Sequence, residues 1–422
     1  MKKEYWPRLI EKRIERLLKS SGAVAVEGPK FCGKTTTCGL FSKSKIELIT
    51  EDIINIVQAD PKLALVGEKP HLIDEWQTVP QIWDLVRKQV NDDGDFGEFL
   101  LTGSATPADT DKIHHSGAGR IAPLKMRPMS LYESDDSKGL ISLADLFDKP
   151  DLSFFYQNDD FSLSDMAFLT CRGGWPMSVM KNREVSLDVT KNYYNGLFNF
   201  KNSENPKYKN KNPDFLKMLL KSYARNISTE AAYSTILKDL QNDGRSTMDI
   251  KTFDSYLNIA EELFIVEDME AWCPNLRSST AIRTTPTRHF VDTSIACRAL
   301  SISPNDLLLN GNTFGLFFED LAVRDLRIYA ETLDGTVRHY RDKNGLECDS
   351  VIHLEDGRWA PIEIKLGGEE LIEDAAKKLK EFMNKLDPRY TKPSFMAIVV
   401  ANGMAFRRPD GIFVIPLNLL KN

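Results

Sequence analysis

The chain has 422 residues, 27% of them charged, with a formal net charge of −6. At about 150 residues per domain this length holds two to four domains. The acidic balance excludes a protein that is basic throughout, so any nucleic-acid surface must be a local patch.

The chain opens on "MKKEYWPRLIEKRIERLL", which reads as an amphipathic helix with no apolar core long enough for a signal peptide. Up to about residue 133, short apolar runs alternate with helical stretches. "AVAVEG", "IELIT", "HLIDE" and "EFLLTGS" read as strands, and the alternation predicts a parallel sheet flanked by helices. From about 140 to 290 the pattern is mostly helical, clearest in "FLKMLLKSYARNI" and "FDSYLNIAEELFIVEDM". The lysine-rich loop "KNSENPKYKNKNPD", with Pro206 and Pro213, reads as an exposed linker. After about 310 a helix, "GLFFEDLAVRDLRIYA", leads into strands "TVRHYR", "ECDSVIHL" and "APIEIKL". A charged helix, "EELIEDAAKKLKEFMNKL", and strands "FMAIVVA" and "GIFVIPL" complete a second α/β unit.

No apolar stretch approaches the roughly 20 residues of a membrane helix. Cys32, Cys38, Cys171, Cys273, Cys297 and Cys348 form no CxxC pair and have no histidine partner at metal spacing. That argues against a zinc site or a disulfide framework and fits a reducing cytosol. A cytoplasmic protein with no membrane partner is expected.

"EGPKFCGKTTT" carries the first chemistry. Gly28, Gly33, Lys34 and Thr35 fit the spacing G-x-x-x-x-G-K-[ST] between a strand and a helix. Backbone N–H groups of such a loop point at phosphates. The run Gly28, Pro29, Lys30, Phe31, Cys32, Gly33, Lys34, Thr35 and Thr36 is the expected ATP cradle. Lys34 would reach the β and γ phosphates, and Thr35 would hold Mg²⁺. "HLIDE" places Asp74 and Glu75 at a strand end, Asp74 for the Mg²⁺ shell and Glu75 to polarise the attacking water. After "FLLTGSA", Ser104 is the candidate γ-phosphate sensor, against the plainer reading of a turn capped by Ser and Gly. Arg120, after Gly119, is a candidate transition-state cation acting across a homo-oligomer interface, or else a surface arginine. His114 and His115 read as loop residues.

These stretches, with "LIDEWQTVPQIW", "GRIAPLKMRPMSLYE", "RGGWP", "SYARNIS", "HFVDTSIA", "GLFFEDLAV", "LECDSVI" and "PIEIKLG", resemble prokaryotic AAA-superfamily ATPases that carry a C-terminal domain of unknown function 4143. The resemblance implies an α/β fold in three parts. They are an N-terminal AAA-type P-loop parallel sheet, a helical middle with a winged-helix-like module, and a C-terminal α/β restriction-endonuclease-like domain. The expected bounds are 1–135 for the ATPase core, 136–200 for a helical lid or linker, 201–290 for the winged-helix-like module and 291–422 for the last domain. The chain departs from the family before "HFVDTSIA", where a Lys is usual and the nearest basic residue is Arg288. It departs again at Ala105, where a second Ser is frequent.

In "PIEIKLG" period-two alternation sets Glu363 and Lys365 on one strand face, and "LECDSVI" offers Asp349 by the same rule. With Glu319 on the preceding helix, the carboxylates would hold Mg²⁺ or Mn²⁺, and Lys365 would orient the nucleophile or neutralise a scissile phosphate. The pattern resembles the D…(D/E)xK logic of restriction-type nucleases. The competing reading is a half-exposed strand with Glu and Lys paired in water.

DNA is the candidate partner. Basic residues outnumber acids from Lys181 to Arg225, with Tyr193, Tyr194 and Tyr208 interleaved, and Arg277, Arg283 and Arg288 follow. A solvated helix face explains the same pattern. Gly173–Pro176 ("GGWP") reads as a packed turn. Two functions follow: an ATPase that engages DNA and carries a metal-dependent nuclease site, or a nucleotide-dependent switch whose C-terminal domain binds a partner without cutting. A small-molecule kinase leaves "PIEIK" unexplained.

Overall fold

The computed structural model describes residues 5–104, 116–149, 151–199, 208, 211–242, 249–274, 284–342, 345–386 and 392–422. Ala105, His114, His115, Pro206, Arg277 and Arg283 lie outside the described residues. The chain divides into two units. One holds Met1–Pro128, Asn195–Leu216 and Leu257–Ile265, and the other holds Met129–Tyr194, Lys217–Tyr256 and Val266–Asn422.

In the first unit five parallel strands form one sheet: β1 (Ala23–Glu27), β2 (Ser44–Glu47), β3 (His71–Asp74), β4 (Phe99–Gly103) and β5 (Ile121–Lys125). Their order is β2-β3-β4-β1-β5. β1, β3 and β4 are buried along nearly their whole length because both faces are covered, with apolar residues in the strand centres. Ala23, Ala25, Ile73, Phe99 and Leu101 pack with Val57, Ile82, Val86 and Val90 of helices Glu51–Ala59 and Gln81–Asp93. Val24, Val26, Leu72 and Leu100 pack with Ile14 of helix Glu11–Leu18 and Cys38 of helix Lys34–Gly39. The second strand starts at Ser44 and ends at Glu47, earlier than "IELIT" suggests, and β5 is a strand the apolar pattern did not single out. β5 alternates buried and exposed positions at the sheet edge, so it lacks the continuous apolar run of its neighbours.

The second unit contains β6 (Ile141–Ser142), β7 (Phe155–Tyr156), β8 (Gly335–Arg341), β9 (Glu347–Leu354), β10 (Trp359–Lys365), β11 (Ala397–Val400), β12 (Ala405–Arg407), β13 (Phe413–Pro416) and β14 (Leu420–Lys421). Seven of these form a sheet in the order β7-β12-β13-β11-β10-β9-β8, while β6 pairs with β14. β10 and β11 are parallel, and parallel neighbours need a crossover, which helix Glu369–Lys385 supplies. Its Leu379 and Phe382 pack with Trp272, Trp359, Ile398 and Val414. In the middle of the chain, helices Pro213–Arg225, Tyr233–Asn242 and Ile250–Glu262 precede two antiparallel bridges, Val266 to Phe290 and Met269 to Thr287.

Several motifs that carried the family resemblance meet in one buried polar network. Arg324, on helix Gly311–Glu331, donates to Asp292 Oδ2 at 2.7 Å and to Asp325 Oδ1 at 2.7 and 2.9 Å. Asp292 Oδ2 accepts from Gly174 N at 2.8 Å, and Asp325 Oδ2 accepts from Leu131 N at 2.9 Å. His289 lies 2.9 Å from Asp320, which also accepts from Phe290 N and Thr293 Oγ1. "SLYE", "GGWP", "HFVDTSIA" and the "FFEDLAVRD" helix are thus tied by buried groups with partners, the condition for charge in a core. Trp175 is buried in a packed turn, against a tilted Tyr193 ring with centroids 4.0 Å apart, and donates to Ser294 Oγ at 3.0 Å. A Cβ on Gly174 would run into the Met129 carbonyl.

Candidate nucleotide and carboxylate sites

The loop after β1 is shaped by its glycines. Gly33 has φ 105°, a conformation that L side chains rarely adopt, and a Cβ on Gly28 would strike the Met126 carbonyl. Pro29, Cys32 and Lys34 are buried, while Lys30, Phe31 and Thr36 are exposed. Lys34 Nζ donates to the carbonyls of Gly28 at 2.8 Å and Pro29 at 2.9 Å. Arg8, which carries no local sequence signal for this site, donates to the carbonyls of Cys32 at 2.6 Å and Arg127 at 2.8 Å, and so braces the loop.

The sheet order brings the acids to this loop. β4 sits between β1 and β3, so the strand ends carrying Asp74 and Thr102 are neighbours in register. Thr35 Oγ1 donates to Asp74 Oδ1 at 2.9 Å, and Thr102 Oγ1 donates to the same oxygen. Burial pushes the Asp74 carboxyl above its ordinary range, and the Thr102 and Thr35 hydroxyls oppose that shift. Glu75 has φ 56° and turns away from the strand. Its Oε1 accepts from Ser104 Oγ at 2.6 Å, and its Oε2 accepts from Gln77 Nε2. Thr35, Asp74, Thr102, Glu75 and Ser104 therefore form one constellation at the C-terminal edge of the sheet. The residue donor set fits a nucleotide with its cation: a lysine held by loop carbonyls, and a hydroxyl beside a carboxylate.

Arg120 lies elsewhere. Ile121 pairs with Ala23, whereas the loop follows Glu27, four rungs or about 13 Å along the sheet. The Arg120 guanidinium bonds to Asn91 Oδ1 at 3.0 Å and to the Ala118 carbonyl at 3.4 Å. It is not brought to the loop of its own chain.

The C-terminal residues do converge. Lys365 Nζ lies 2.6 Å from Asp349 Oδ2 and 2.9 Å from Glu363 Oε2, and Asp349 Oδ2 also accepts from Ile364 N at 2.8 Å. Glu363 is fully buried, with Oε2 paired to Lys365 and Oε1 left without a partner. Burial, then the nearby Asp349 carboxylate, raises its carboxyl to about 7. Protein around the Glu319 carboxyl raises it well above its ordinary range, with Asp349 and Glu363 adding to the shift and Lys365 opposing it. Glu363 and Lys365 are thus not a pair in water. The alternation on β10 misleads because the strand is buried along both faces. Lys365 occupies the place between the two carboxylates. With Lys365 in that place, no group of three His, Cys, Asp or Glu side chains among the described residues is spaced to hold a metal.

The basic stretch is corrected in part. Tyr208 is buried, Tyr193 packs against Trp175, and burial pushes the Tyr194 hydroxyl up to about 12. Arg288 is buried against Asp268 and over the Tyr233 ring at 3.9 Å, so it serves the core. The amphipathic spacing of these tyrosines reflects packing. Lys217, Lys221 and Arg225 remain exposed at every fourth position of helix Pro213–Arg225. Among the described residues no helix is long and apolar enough to cross a membrane.

Residues 20–134 match a family model described as an AAA domain. Residues 163–306 match domain of unknown function 8612, and residues 314–420 match domain of unknown function 4143. Uncharacterized proteins of Mycobacterium bovis and Mycobacterium tuberculosis are each 33% identical over 130 residues, covering 30% of this chain and 29% of theirs. The match therefore spans under a third of those relatives. Among solved structures, a Walker-type ATPase of Pyrococcus abyssi is 12% identical, with 71% of this chain and 97% of that one covered at a TM-score of 0.45. Cdc6p of Pyrobaculum aerophilum is 14% identical, with 76% and 97% covered at a TM-score of 0.25. The family match, the strand order and the loop agree: the N-terminal part of this chain is a P-loop domain of the AAA type, followed by two domains of unknown function.

Proposed function

We propose that the protein binds and hydrolyses ATP at the loop Gly28–Thr36 and engages DNA. The observation that carries the first half is the constellation of Thr35, Asp74 and Thr102 beside Glu75 and Ser104. Magnesium-bound ATP supplies the transferable phosphoryl group and the charge that polarises it. Lys34 exchanges the carbonyls of Gly28 and Pro29 for phosphate oxygens. The Thr35 hydroxyl and the Asp74 carboxylate hold the cation. Glu75 accepts the proton of the attacking water, and Ser104 donates to the γ-phosphate. Arg120 serves the site of a neighbouring copy in a homo-oligomer. DNA engagement is supported by the exposed Lys217, Lys221 and Arg225 stripe.

A second reading concerns the C-terminal domain. The buried, unpartnered Glu363 Oε1 favours a site completed by a ligand, in keeping with a nuclease. Lys365 between Asp349 and Glu363 favours a non-cleaving module that binds a partner while the ATPase acts as a switch. The deciding experiment is DNA cleavage with Mg²⁺ or Mn²⁺, with and without ATP, for wild type, Asp349→Ala and Lys34→Ala, with ATP turnover measured in the same samples. Cleavage lost in Asp349→Ala selects the nuclease. ATP turnover without cleavage of any DNA form selects the switch. No ATP turnover by wild type overturns the ATPase.

A further inference from the structure

We propose that Gln77 is the positioning residue that keeps Glu75 aimed during ATP hydrolysis, with Gly103 leaving the space the Gln77 amide needs. This rests on the ATPase reading of the site. Glu75 has two side-chain donors of different character. Ser104 stands at the end of another strand, and its hydroxyl has a single proton. It donates either to Glu75 Oε1, where it lies at 2.6 Å, or to a phosphate oxygen. When Ser104 serves the nucleotide, Glu75 loses that anchor.

The Gln77 amide is the anchor that stays. It belongs to the same short turn as Glu75, Trp76–Thr78 following directly, and Thr78 N closes the turn on the Glu75 carbonyl at 3.0 Å. The Gln77 bond to Glu75 Oε2 therefore moves with the residue it orients. The amide's direction is dictated by charge: the N–H₂ group must face the carboxylate, because a carbonyl there would be repelled. This leaves Gln77 Oε1 buried and without a partner. The cost of an orphaned polar group persists because the other end of the amide is held at Glu75.

Gly103 makes room for the arrangement. A Cβ there would lie 2.7 Å from Gln77 Oε1 and 3.3 Å from Trp76 Nε1. Gly103 sits in β4, so alanine is acceptable to the backbone and the amide is what must move. A β4 residue without a side chain and a glutamine two places after the acid are thus parts of one device.

The test measures ATP turnover and equilibrium binding of Mg²⁺-ATP for wild type, Gln77→Ala, Gln77→Glu, Gly103→Ala, the Gln77→Ala/Gly103→Ala double variant, and Gln77→Ala in a Glu75→Gln background. Gln77→Ala should lower kcat between about 10-fold and about 100-fold, the effect of a misaimed group, with the binding constant within about 2-fold. Gln77→Glu keeps the size and places a second carboxylate against Glu75, so it does not rescue. Gly103→Ala should lose kcat in the same way, and the double variant should lose no more than the worse single one. In the Glu75→Gln background, Gln77→Ala should have no further effect. Wild-type turnover with Gln77→Ala unchanged, or with additive losses throughout, overturns this assignment alone. No wild-type turnover overturns the ATPase reading and this assignment with it.

Discussion

Replacing Arg324 with methionine tests whether the buried network holds the second unit together. The guanidinium is fully buried and donates three hydrogen bonds of 2.7–2.9 Å to Asp292 and Asp325, themselves fully buried. Methionine fills most of the volume but leaves two carboxylates without their cation. Removing one partner of a buried pair costs about 3–5 kcal/mol. With an m-value of about 3 kcal/mol/M, the urea midpoint falls by about 1–1.7 M. Trp175, bonded to Ser294 beside Asp292, is a local fluorescent reporter of the transition. The pH dependence gives the reasoning a second edge. Burial already raises the Asp325 carboxyl, and Arg324 is the largest influence opposing that shift. In the variant its folded pKa rises further above the unfolded one. The penalty is then absent while the carboxyl is protonated in both states and grows as pH rises through the window between the two values. The deficit of Arg324→Met should therefore be largest at neutral pH and shrink as pH falls toward 5. Converting Asp292 and Asp325 to Asn in the same chain should recover much of the loss. A variant within about 1 kcal/mol of wild type at pH 7, or a deficit that grows on acidification, would refute the argument.

Other outcomes follow from the same structure. Lys34→Ala should abolish detectable Mg²⁺-ATP binding in calorimetry, whereas Glu75→Gln should retain binding and lower turnover by about 100-fold or more. Changing Lys217, Lys221 and Arg225 together to Ala should weaken DNA binding uniformly across sequences. The slope of log K against log salt should fall in magnitude by about 2–3, as read by fluorescence anisotropy over a salt series. Glu363→Gln removes a buried carboxyl whose folded value, about 7, lies above its unfolded one. The contribution of that carboxyl is present below the unfolded pKa and lost as pH rises through 7. The variant should therefore be more stable than wild type at pH 8, by up to about 3 kcal/mol, with no gain at pH 4, as measured by urea unfolding. Arg120→Ala should lower ATP turnover, and mixing it with catalytically dead Glu75→Gln copies, which keep Arg120, should restore part of it; unchanged turnover in Arg120→Ala removes the trans role.

What could be read from the sequence depended on how local each arrangement is. The nucleotide loop was legible because Gly28, Gly33, Lys34 and Thr35 work through spacing within one turn, and the sheet order then carried Asp74 and Ser104 to it. Gln77 stood in plain sight in "DEWQ", yet its role depends on an empty Cβ position in β4, and no local pattern reports that. Arg8 braces Cys32 from 24 residues away, again without a local signal. The strand "EIK" misled for the opposite reason. Alternation says which side chains share a face, and it says nothing about what covers that face. Tyr193 and Tyr208 were the same error in a helical setting, aromatic rings among lysines that turn inward to pack. The remaining motifs show why a recognisable signature is weak evidence for chemistry. "GGWP", "HFVDTSIA" and "FFEDLAVRD" are tied to one another by Asp292, Arg324 and Asp320, and the groups that tie them are buried with partners. A buried charge that already has its partners costs several kcal/mol to disturb, and that alone restricts what can replace it. The site residues separate from these by a different property. In the proposed site Lys34, Asp74 and Glu75 hold bonds that a nucleotide would exchange one for one, whereas the Arg324 network is buried with its partners.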